Sequence, residues 1–245
     1  MTILQAIEEV LRPRHREIAC LFSDIRGFTR ATQGKGDAFL DEGVIPNVRE
    51  CTYAVERSGG IPRKIGDLLF AYFDQPSPQD NLIRCFKAAL DVIQANNEFN
   101  ESRPKQDPIN RYVLITSGEA IVGNLGGFDS SIEITALGNP VNFLSRIDEA
   151  TKHPAIRPLV TNNHIVMDER TATGLSAVLP SLELEHINLA KLGVHIRDFE
   201  SVDRIFLYCV DPLKSPATNT QLRGLVSTDV TDTHDTDQQV QAVRS

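Results

Sequence analysis

The sequence predicts an α+β fold, in which helices pack on a mainly antiparallel sheet. Two observations carry this prediction. Two β-rich runs, Ile61–Ile65 and Leu68–Phe73, flank the dipeptide Gly66-Asp67 in the way that a tight hairpin turn requires. Segments with apolar residues at helical spacing precede and follow this hairpin, at residues 39 to 55 and 82 to 93. A hairpin between amphipathic helices indicates a sheet covered by helices.

The first half of the chain supplies the remaining early elements. Residues 17 to 22 form a short, nearly continuous apolar run, which is typical of a central strand buried on both faces. Pro46 interrupts the helix of residues 39 to 55, so we expect a kinked or two-piece helix. Residues 111 to 116 predict a further strand. Two more strand candidates follow, at 120 to 124 and 131 to 137.

The second half is predicted to contain one helix and two strands. Apolar positions of residues 140 to 150 lie on one helical face, and residues 159 to 161 and 204 to 210 are strand candidates with a loop-rich region between them. The order strand, helix, hairpin, helix, strands is a ferredoxin-like plan. It predicts helices on one face of the sheet.

The chain divides into one domain and two flanking segments. Residues 1 to 16 are predicted to hold an amphipathic helix that ends at Pro13, and residues 17 to 212 form the domain. Residues 213 to 245 contain no aromatic residue and are rich in polar residues, which predicts a disordered tail.

Composition excludes several classes of function. With 25 Lys and Arg against 33 Asp and Glu, the formal net charge is −8, which argues against nonspecific nucleic-acid binding. No apolar run approaches the ~20 residues of a membrane helix, so we expect a cytoplasmic protein without membrane contact. The cysteines at 20, 51, 85 and 209 lie far apart in apolar stretches, which predicts reduced buried thiols and no zinc site.

Two aspartates stand at positions where a metal site is expected. Asp24 ends the apolar strand and is followed by a turn at Gly27, and Asp67 lies on the hairpin turn. Taken singly, either aspartate is explained equally well as a helix cap or a turn residue. Two strand-end carboxylates on neighbouring strands suit Mg²⁺ or Mn²⁺, whose other ligands are phosphate oxygens and water.

Three segments in order resemble the class III nucleotidyl cyclases, the catalytic domain of adenylate and guanylate cyclases. They are Phe22-Ser-Asp-Ile-Arg-Gly-Phe-Thr29, Lys64-Ile-Gly-Asp-Leu-Leu-Phe-Ala-Tyr-Phe73 and Gly138-Asn-Pro-Val-Asn-Phe-Leu-Ser-Arg146. The resemblance extends over roughly residues 17 to 210. It implies an enzyme in which the ribose 3′-hydroxyl attacks the α-phosphorus and pyrophosphate leaves.

The resemblance implies a set of residues that bind two Mn²⁺ or Mg²⁺ ions and the triphosphate. The expected metal ligands are the side chains of Asp24 and Asp67 and the carbonyl of Ile25, and the expected phosphate-binding turn is Gly27, Phe28 and Thr29. Two metals suit this reaction, because one activates the attacking oxygen while the other neutralises the triphosphate.

The resemblance also implies catalytic residues that a second chain supplies. Asn142 would orient the ribose, and Arg146, one helical turn later, would stabilise charge on the α-phosphate. A further phosphate-binding cation would be Arg197 or Arg204. Because metal ligands and catalytic pair come from different chains in such enzymes, we expect a head-to-tail homodimer with its sites at the interface.

The resemblance further implies that base choice depends on Arg63 and Thr135. Thr135 is compatible with adenine, whereas Arg63 departs from the lysine usual in adenylate cyclases and from the glutamate usual in guanylate cyclases. An arginine is longer and offers several donors, which favours bases with carbonyl acceptors. The substrates rank UTP first, ATP second and CTP third, with GTP low. An arginine that turns away to solvent would favour ATP instead.

The compact layout also resembles the stand-alone pyrimidine (uridylate or cytidylate) cyclases of bacterial antiphage signalling. This resemblance implies that cyclic UMP acts as a messenger for a separate effector. One alternative is a cyclase-shaped domain that binds nucleotide without turnover, but Asp24, Asp67, Asn142 and Arg146 are all present. Another is an unrelated metal-dependent phosphohydrolase, for which the sequence holds no HExxH motif or clustered histidine pair.

Overall fold

A computed structural model describes residues 9, 11–28, 31–32, 37–126 and 132–210. The predicted tail, residues 213 to 245, lies outside the described residues, as does most of the predicted N-terminal helix. The first strand begins at Arg14, three residues before the predicted domain boundary at residue 17.

The described residues form an eight-stranded sheet with helices, which confirms the predicted α+β fold. Its strands in chain order are β1 (Arg14–Ile25), β2 (Ile61–Ile65), β3 (Leu68–Phe73), β4 (Arg111–Asn124), β5 (Ile134–Leu137), β6 (His164–Met167), β7 (Glu185–Asn188) and β8 (Arg204–Cys209). They are arranged as β2-β3-β1-β4-β6-β8-β7, with β5 paired to β4. The β4–β6 pair is parallel and the other pairs are antiparallel.

Among the described residues, the four longer α-helices that cover the sheet are α1 (Ile45–Arg57), α2 (Pro78–Glu101), α3 (Asn139–Thr151) and α4 (Glu169–Val178). A helical turn at Asp37–Phe39 and a π-helical turn at Leu40–Val44 lead directly into α1. Pro46, which has no main-chain amide to donate, lies in the first turn of α1, at the junction between the π-helical turn and the α-helix. The predicted two-piece helix is therefore confirmed.

The core lies on both faces of the sheet, so the prediction of helices on one face is wrong. Alternate residues of β1 point to opposite faces, with Leu21 in the cluster under α1, α2 and α4 and Cys20 in the cluster under α3. Leu144 and Ile147 of α3 are fully buried against the second face. The near-continuous apolar run at residues 17 to 22 reflects this two-sided burial.

Two strand predictions are wrong in extent or place. Residues 111 to 116 and 120 to 124 belong to one strand, β4, because its pairing with β1 continues without a break through Gly118 and Glu119. Residues 159 to 161 are not a strand. Leu159 lies in a turn, where its amide donates to the carbonyl of Ile156 at 2.8 Å, and the strand that follows begins at His164. The predicted loop region also contains α4 and β7.

Two glycines position the elements that carry the predicted site residues. Gly66 has a φ of +65° at the first central position of the β2–β3 turn, which places Asp67 at the tip of the hairpin. Gly138, directly before α3, lies so close to β4 that an added Cβ would stand 2.9 Å from the Cα of Ala120. No helix within the described ranges is long and apolar enough to cross a membrane.

Candidate active site

A cavity of about 550 Å³ opens at the end of β1, beside the tip of the β2–β3 hairpin. Acidic, basic and aromatic side chains line it together. They include Asp24, Asp67, Tyr112, Asp148, Lys152 and Arg157, beside the backbone of residues 25 to 28. The antiparallel pairing of Ser23 with Leu69 brings the end of β1 next to the hairpin turn. The structure therefore brings the two predicted metal-binding aspartates to one cavity.

Asp24 and Asp67 interact directly. Partial burial and the neighbouring carboxylate of Asp24 raise the pKa of Asp67 to about 6. Asp24 itself is mostly buried, and its Oδ1 accepts a hydrogen bond of 2.8 Å from the amide of Ile25. Two carboxylates held this close repel each other when both are ionised, and a divalent cation between them would remove that repulsion.

The oxygen ligands at this point fit a hard divalent cation such as Mg²⁺ or Mn²⁺. Within the described part of the chain, no group of three or more His, Cys, Asp or Glu residues could hold a metal ion. Two carboxylates with a main-chain carbonyl leave several coordination positions open. Mg²⁺ in particular keeps such positions for water and substrate phosphates.

Three residues that sequence reasoning missed surround Asp24. Lys152 Nζ lies 3.2 Å from Asp24 Oδ2 and 2.8 Å from Asp148 Oδ2. The hydroxyl of Tyr112 donates to Asp148 Oδ1 and lies 3.4 Å from Asp24 Oδ2. The four-residue spacing between Asp148 in α3 and Lys152, which directly follows α3, indicates an ion pair but does not indicate its place at this cavity.

Contacts of Arg26 and of Phe28 with neighbouring residues hold the turn after β1 in place. The guanidinium of Arg26 lies 4.3 Å from the centre of the Tyr112 ring and donates to the carbonyl of Val160 at 2.8 Å. Phe28 packs against a small apolar cluster that includes Ile25. Gly27 and Phe28 thus border the cavity, whereas Thr29 lies outside the described residues.

The predicted catalytic pair, Asn142 and Arg146, lies on a different side of α3 from the cavity. Positions 146 and 148 are separated by about 200° around a helix. Asp148 lines the cavity, whereas Arg146 donates to Asp198 Oδ2 with its Nη2 at 2.9 Å and its Nε at 3.1 Å. Asn142 is exposed. One chain therefore does not bring Asn142 and Arg146 to its own aspartates.

The two candidates for the additional phosphate-binding cation differ in their surroundings. Arg197 joins the ion pairs around Arg146, since its guanidinium lies 3.6 Å from Glu149 and 3.8 Å from Asp198. Arg204 pairs with Asp203 at 3.0 Å where β8 begins. Among the described residues, Arg197 and Arg146 pair with the same two carboxylates, those of Glu149 and Asp198. Arg204 pairs with a different carboxylate.

The predicted base-binding residues, Arg63 and Thr135, are brought together by the strands β2 and β5. The Nε of Arg63 donates to the carbonyl of Ile134 at 2.9 Å, and its Nη2 donates to the same oxygen. The β2 and β5 strands are not neighbours in the sheet, so the β1–β4 ribbon must curl to bring them into contact. Arg63 therefore does not turn away to solvent.

No protein-family model matches the chain. The curated adenylate cyclase of Anabaena cylindrica is 30% identical over 168 residues, which is 65% of this chain and 32% of that protein. Among solved structures, the adenylyl cyclase CyaB from P. aeruginosa matches with a TM-score of 0.68 at 18% identity, covering 82% of this chain and 97% of that one. The guanylyl cyclase Cya2 matches with a TM-score of 0.62 at 21% identity, covering 81% and 93%.

The neighbours include cyclases named for either purine, so the shared fold does not distinguish the base. The chain spans about a third of the length of the curated relative from Anabaena. The three motifs of this chain and the fold of its sheet agree with the cyclases named above. The described residues therefore have the fold of class III nucleotidyl cyclase catalytic domains, and the sequence is similar to that of a curated adenylate cyclase.

Proposed function

We propose that the protein converts a nucleoside triphosphate to its 3′,5′-cyclic monophosphate and pyrophosphate. The observation that carries this proposal is the meeting of Asp24 and Asp67 at one cavity, where burial and the neighbouring carboxylate of Asp24 raise the pKa of Asp67. Such a pair binds divalent cations, and divalent cations bind triphosphates. The similarity to a curated adenylate cyclase supports the same reaction.

In the proposed reaction, the ribose 3′-oxygen forms a bond to the α-phosphorus, and the bond from that phosphorus to the bridging oxygen breaks. The electron pair leaves with pyrophosphate, and the 3′-hydroxyl proton passes to water. Divalent ions, two of either Mn²⁺ or Mg²⁺, would supply charge neutralisation and lower the pKa of the attacking hydroxyl. Asp24 and Asp67, with the Ile25 carbonyl, would hold them, and the turn of Gly27, Phe28 and Thr29 would bind the β- and γ-phosphates.

Asn142 and Arg146 act in this proposal from the second chain of a head-to-tail homodimer. Their place on the side of α3 away from the cavity supports this arrangement. Asn142 would orient the ribose, and the Arg146 guanidinium would stabilise charge on the α-phosphate. Arg197, which shares Asp198 with Arg146, is the better candidate for the additional phosphate-binding cation.

We propose UTP as the preferred substrate. The fixed position of Arg63 beside Thr135 supports this choice. Arg63 uses Nε and Nη2 on the Ile134 carbonyl and reaches the Pro62 carbonyl at 3.4 Å with Nη1. A guanidinium has five N–H donors, so further donors are left for a base carbonyl such as uracil O4. The Thr135 hydroxyl could accept from the uracil N3–H.

ATP is the second candidate, because the curated relative is an adenylate cyclase and because Thr135 also suits adenine. CTP, with acceptors at O2 and N3, is the third. A cyclic pyrimidine nucleotide would serve as a messenger for a separate effector in antiphage defence.

The test is a panel of ATP, GTP, CTP and UTP with Mn²⁺ or with Mg²⁺, in which mass spectrometry identifies the products. We expect cyclic UMP to form fastest, and Asp24→Asn to abolish formation of every cyclic product. Faster conversion of ATP under equal conditions would replace UTP with ATP. Absence of all four cyclic products from dimeric protein would refute the cyclase proposal.

A further inference from the structure

The ammonium of Lys152 lies where a cation at Asp24 would have to bind. Asp24 Oδ1 accepts a hydrogen bond of 2.8 Å from the amide of Ile25, whereas Oδ2 faces the side chains of Lys152 and Tyr112. Lys152 Nζ lies 3.2 Å from this Oδ2. A divalent ion at the same oxygen would meet a like charge, and Lys152 would have to move away from Asp24.

Lys152 is anchored in a way that limits where it can move. Its second partner, Asp148, lies 2.8 Å away and is held from the other side by the hydroxyl of Tyr112. Both oxygens of Asp148 thereby have a partner. Asp148 therefore binds the Lys152 ammonium and is not a free metal ligand. The Lys152 side chain is 55% exposed and flexible, so it can shift while keeping Asp148 as its partner.

The space open to Lys152 is the cavity itself. Lys152 and Arg157 line it together with the turn at Gly27 and Phe28, where the phosphates are proposed to bind. The third cation of this wall, Arg26, already donates to Val160 and lies against the ring of Tyr112. Of these cations, Lys152 is the one that an arriving metal ion would release.

We infer that Lys152 is an additional triphosphate-binding residue, which neutralises Asp24 in the metal-free chain and transfers to the phosphates when the metal binds. The inference rests on the proposed function. In the reaction, Lys152 would stabilise the charge that develops on the leaving pyrophosphate, and it would do so from the same chain as the metal ligands. Asp148 is then a positioning residue that keeps the ammonium at the cavity.

The inference predicts opposite effects of Lys152→Gln on two binding equilibria. Mn²⁺ affinity without nucleotide should rise about three- to tenfold, because a positive charge beside the metal ligand is lost. Pyrophosphate affinity at saturating Mn²⁺ should fall about tenfold or more, because a hydrogen bond between charged groups is lost. Free Mn²⁺ is measured by electron paramagnetic resonance, and pyrophosphate binding by calorimetry.

Two further variants separate this role from a structural one. Asp148→Asn should weaken Mn²⁺ binding, whereas Lys152→Gln should strengthen it. The Asp148 substitution removes a negative charge beside the site and leaves Asp24 as the ion-pair partner of Lys152. Lys87→Gln is the matched control, since Lys87 and Asp91 form the same spacing of ion pair on α2, outside the cavity. It should change neither affinity. Circular dichroism checks that each variant is folded.

Two results would overturn the inference: weaker Mn²⁺ binding by Lys152→Gln, or pyrophosphate affinity within twofold of wild type. The second would leave Lys152 as a counterion of Asp24 only. These measurements need no turnover, so they stand apart from the cyclase proposal. A protein that shows both expected shifts but forms no cyclic nucleotide would refute the proposed function and support the binding role of Lys152.

Discussion

Asp67→Asn should stabilise the protein without metal at neutral pH while it removes a ligand of the proposed metal site. The pKa of Asp67 is raised from 3.8 to about 6 by burial and by the facing carboxylate of Asp24. A carboxyl with a raised pKa contributes its full stability below its unfolded value, and this contribution is lost as the pH rises through about 6. At pH 7.5 the ionised pair therefore costs folding free energy, which the neutral amide avoids.

The size of this effect follows from the pKa and the exposure of the site. The raised pKa corresponds to a cost of roughly 3 kcal/mol in folding free energy at neutral pH. Asp67 is only half-buried, and solvent screening reduces the figure to about 1 kcal/mol. For a chain of this length, such a difference raises the melting temperature by about 2 to 4 °C.

Thermal melting followed by circular dichroism, with a chelator present, measures this difference. Asp67→Asn should melt above wild type at pH 7.5, and the two should converge near pH 5. Adding Mn²⁺ at a hundred times its Kd should then stabilise the wild type by about 2.7 kcal/mol and the variant by much less. Asp41→Asn, at an exposed position outside the cavity, is the control. A variant that melts below wild type at pH 7.5, or keeps the same pH dependence, would refute the reasoning.

Three further predictions concern the composite site, the base and the placement of α3. Chains with Asp24→Ala and chains with Arg146→Ala should each be inactive, and an equal mixture that exchanges subunits should recover about a quarter of wild-type activity; continued inactivity after demonstrated exchange would contradict the shared site. Arg63→Lys should lower the kcat/KM for UTP relative to ATP by about ten- to a hundredfold, because a base contact is lost; an unchanged ratio would remove Arg63 from base selection. Gly138→Ala should lower kcat while Mn²⁺ affinity stays near wild type, because the added Cβ would stand 2.9 Å from the Cα of Ala120 and displace the start of α3; unaltered kinetics would contradict this.

The sequence predicted the hairpin and the helices α1, α2 and α3 well, because their signals are local, whereas α4 was missed. The Gly66-Asp67 turn fixes the β2–β3 register by itself, and amphipathic spacing marks α2 and α3. The break predicted inside β4 had a local cause too, since Gly118 weakens a strand pattern. Pairing with β1 overrides that weakness, and pairing between distant segments is not written in the local sequence.

The sequence predicted those site residues that belong to a recognisable sequence motif, and it missed the others. Asp24 and Asp67 lie on elements whose ends could be placed from the sequence, and the structure brings both to one cavity. Lys152 was missed because its role depends on where α3 packs, not on its own neighbours in sequence. The prediction of helices on one face failed for the same reason. Apolar spacing identifies the buried face of a helix but not the side of the sheet on which that helix packs.

The contact between Arg63 and the main chain of Ile134 has a consequence for how base preference can change. The acceptor is a backbone carbonyl, which every amino acid at position 134 would provide. Substitution at 134 therefore leaves the orientation of Arg63 in place, and a new residue at 63 needs no compensating change there. If Arg63 and Thr135 select the base as proposed, single substitutions at 63 or 135 would change the choice of nucleobase, while the proposed metal ligands and the folded scaffold stay as they are.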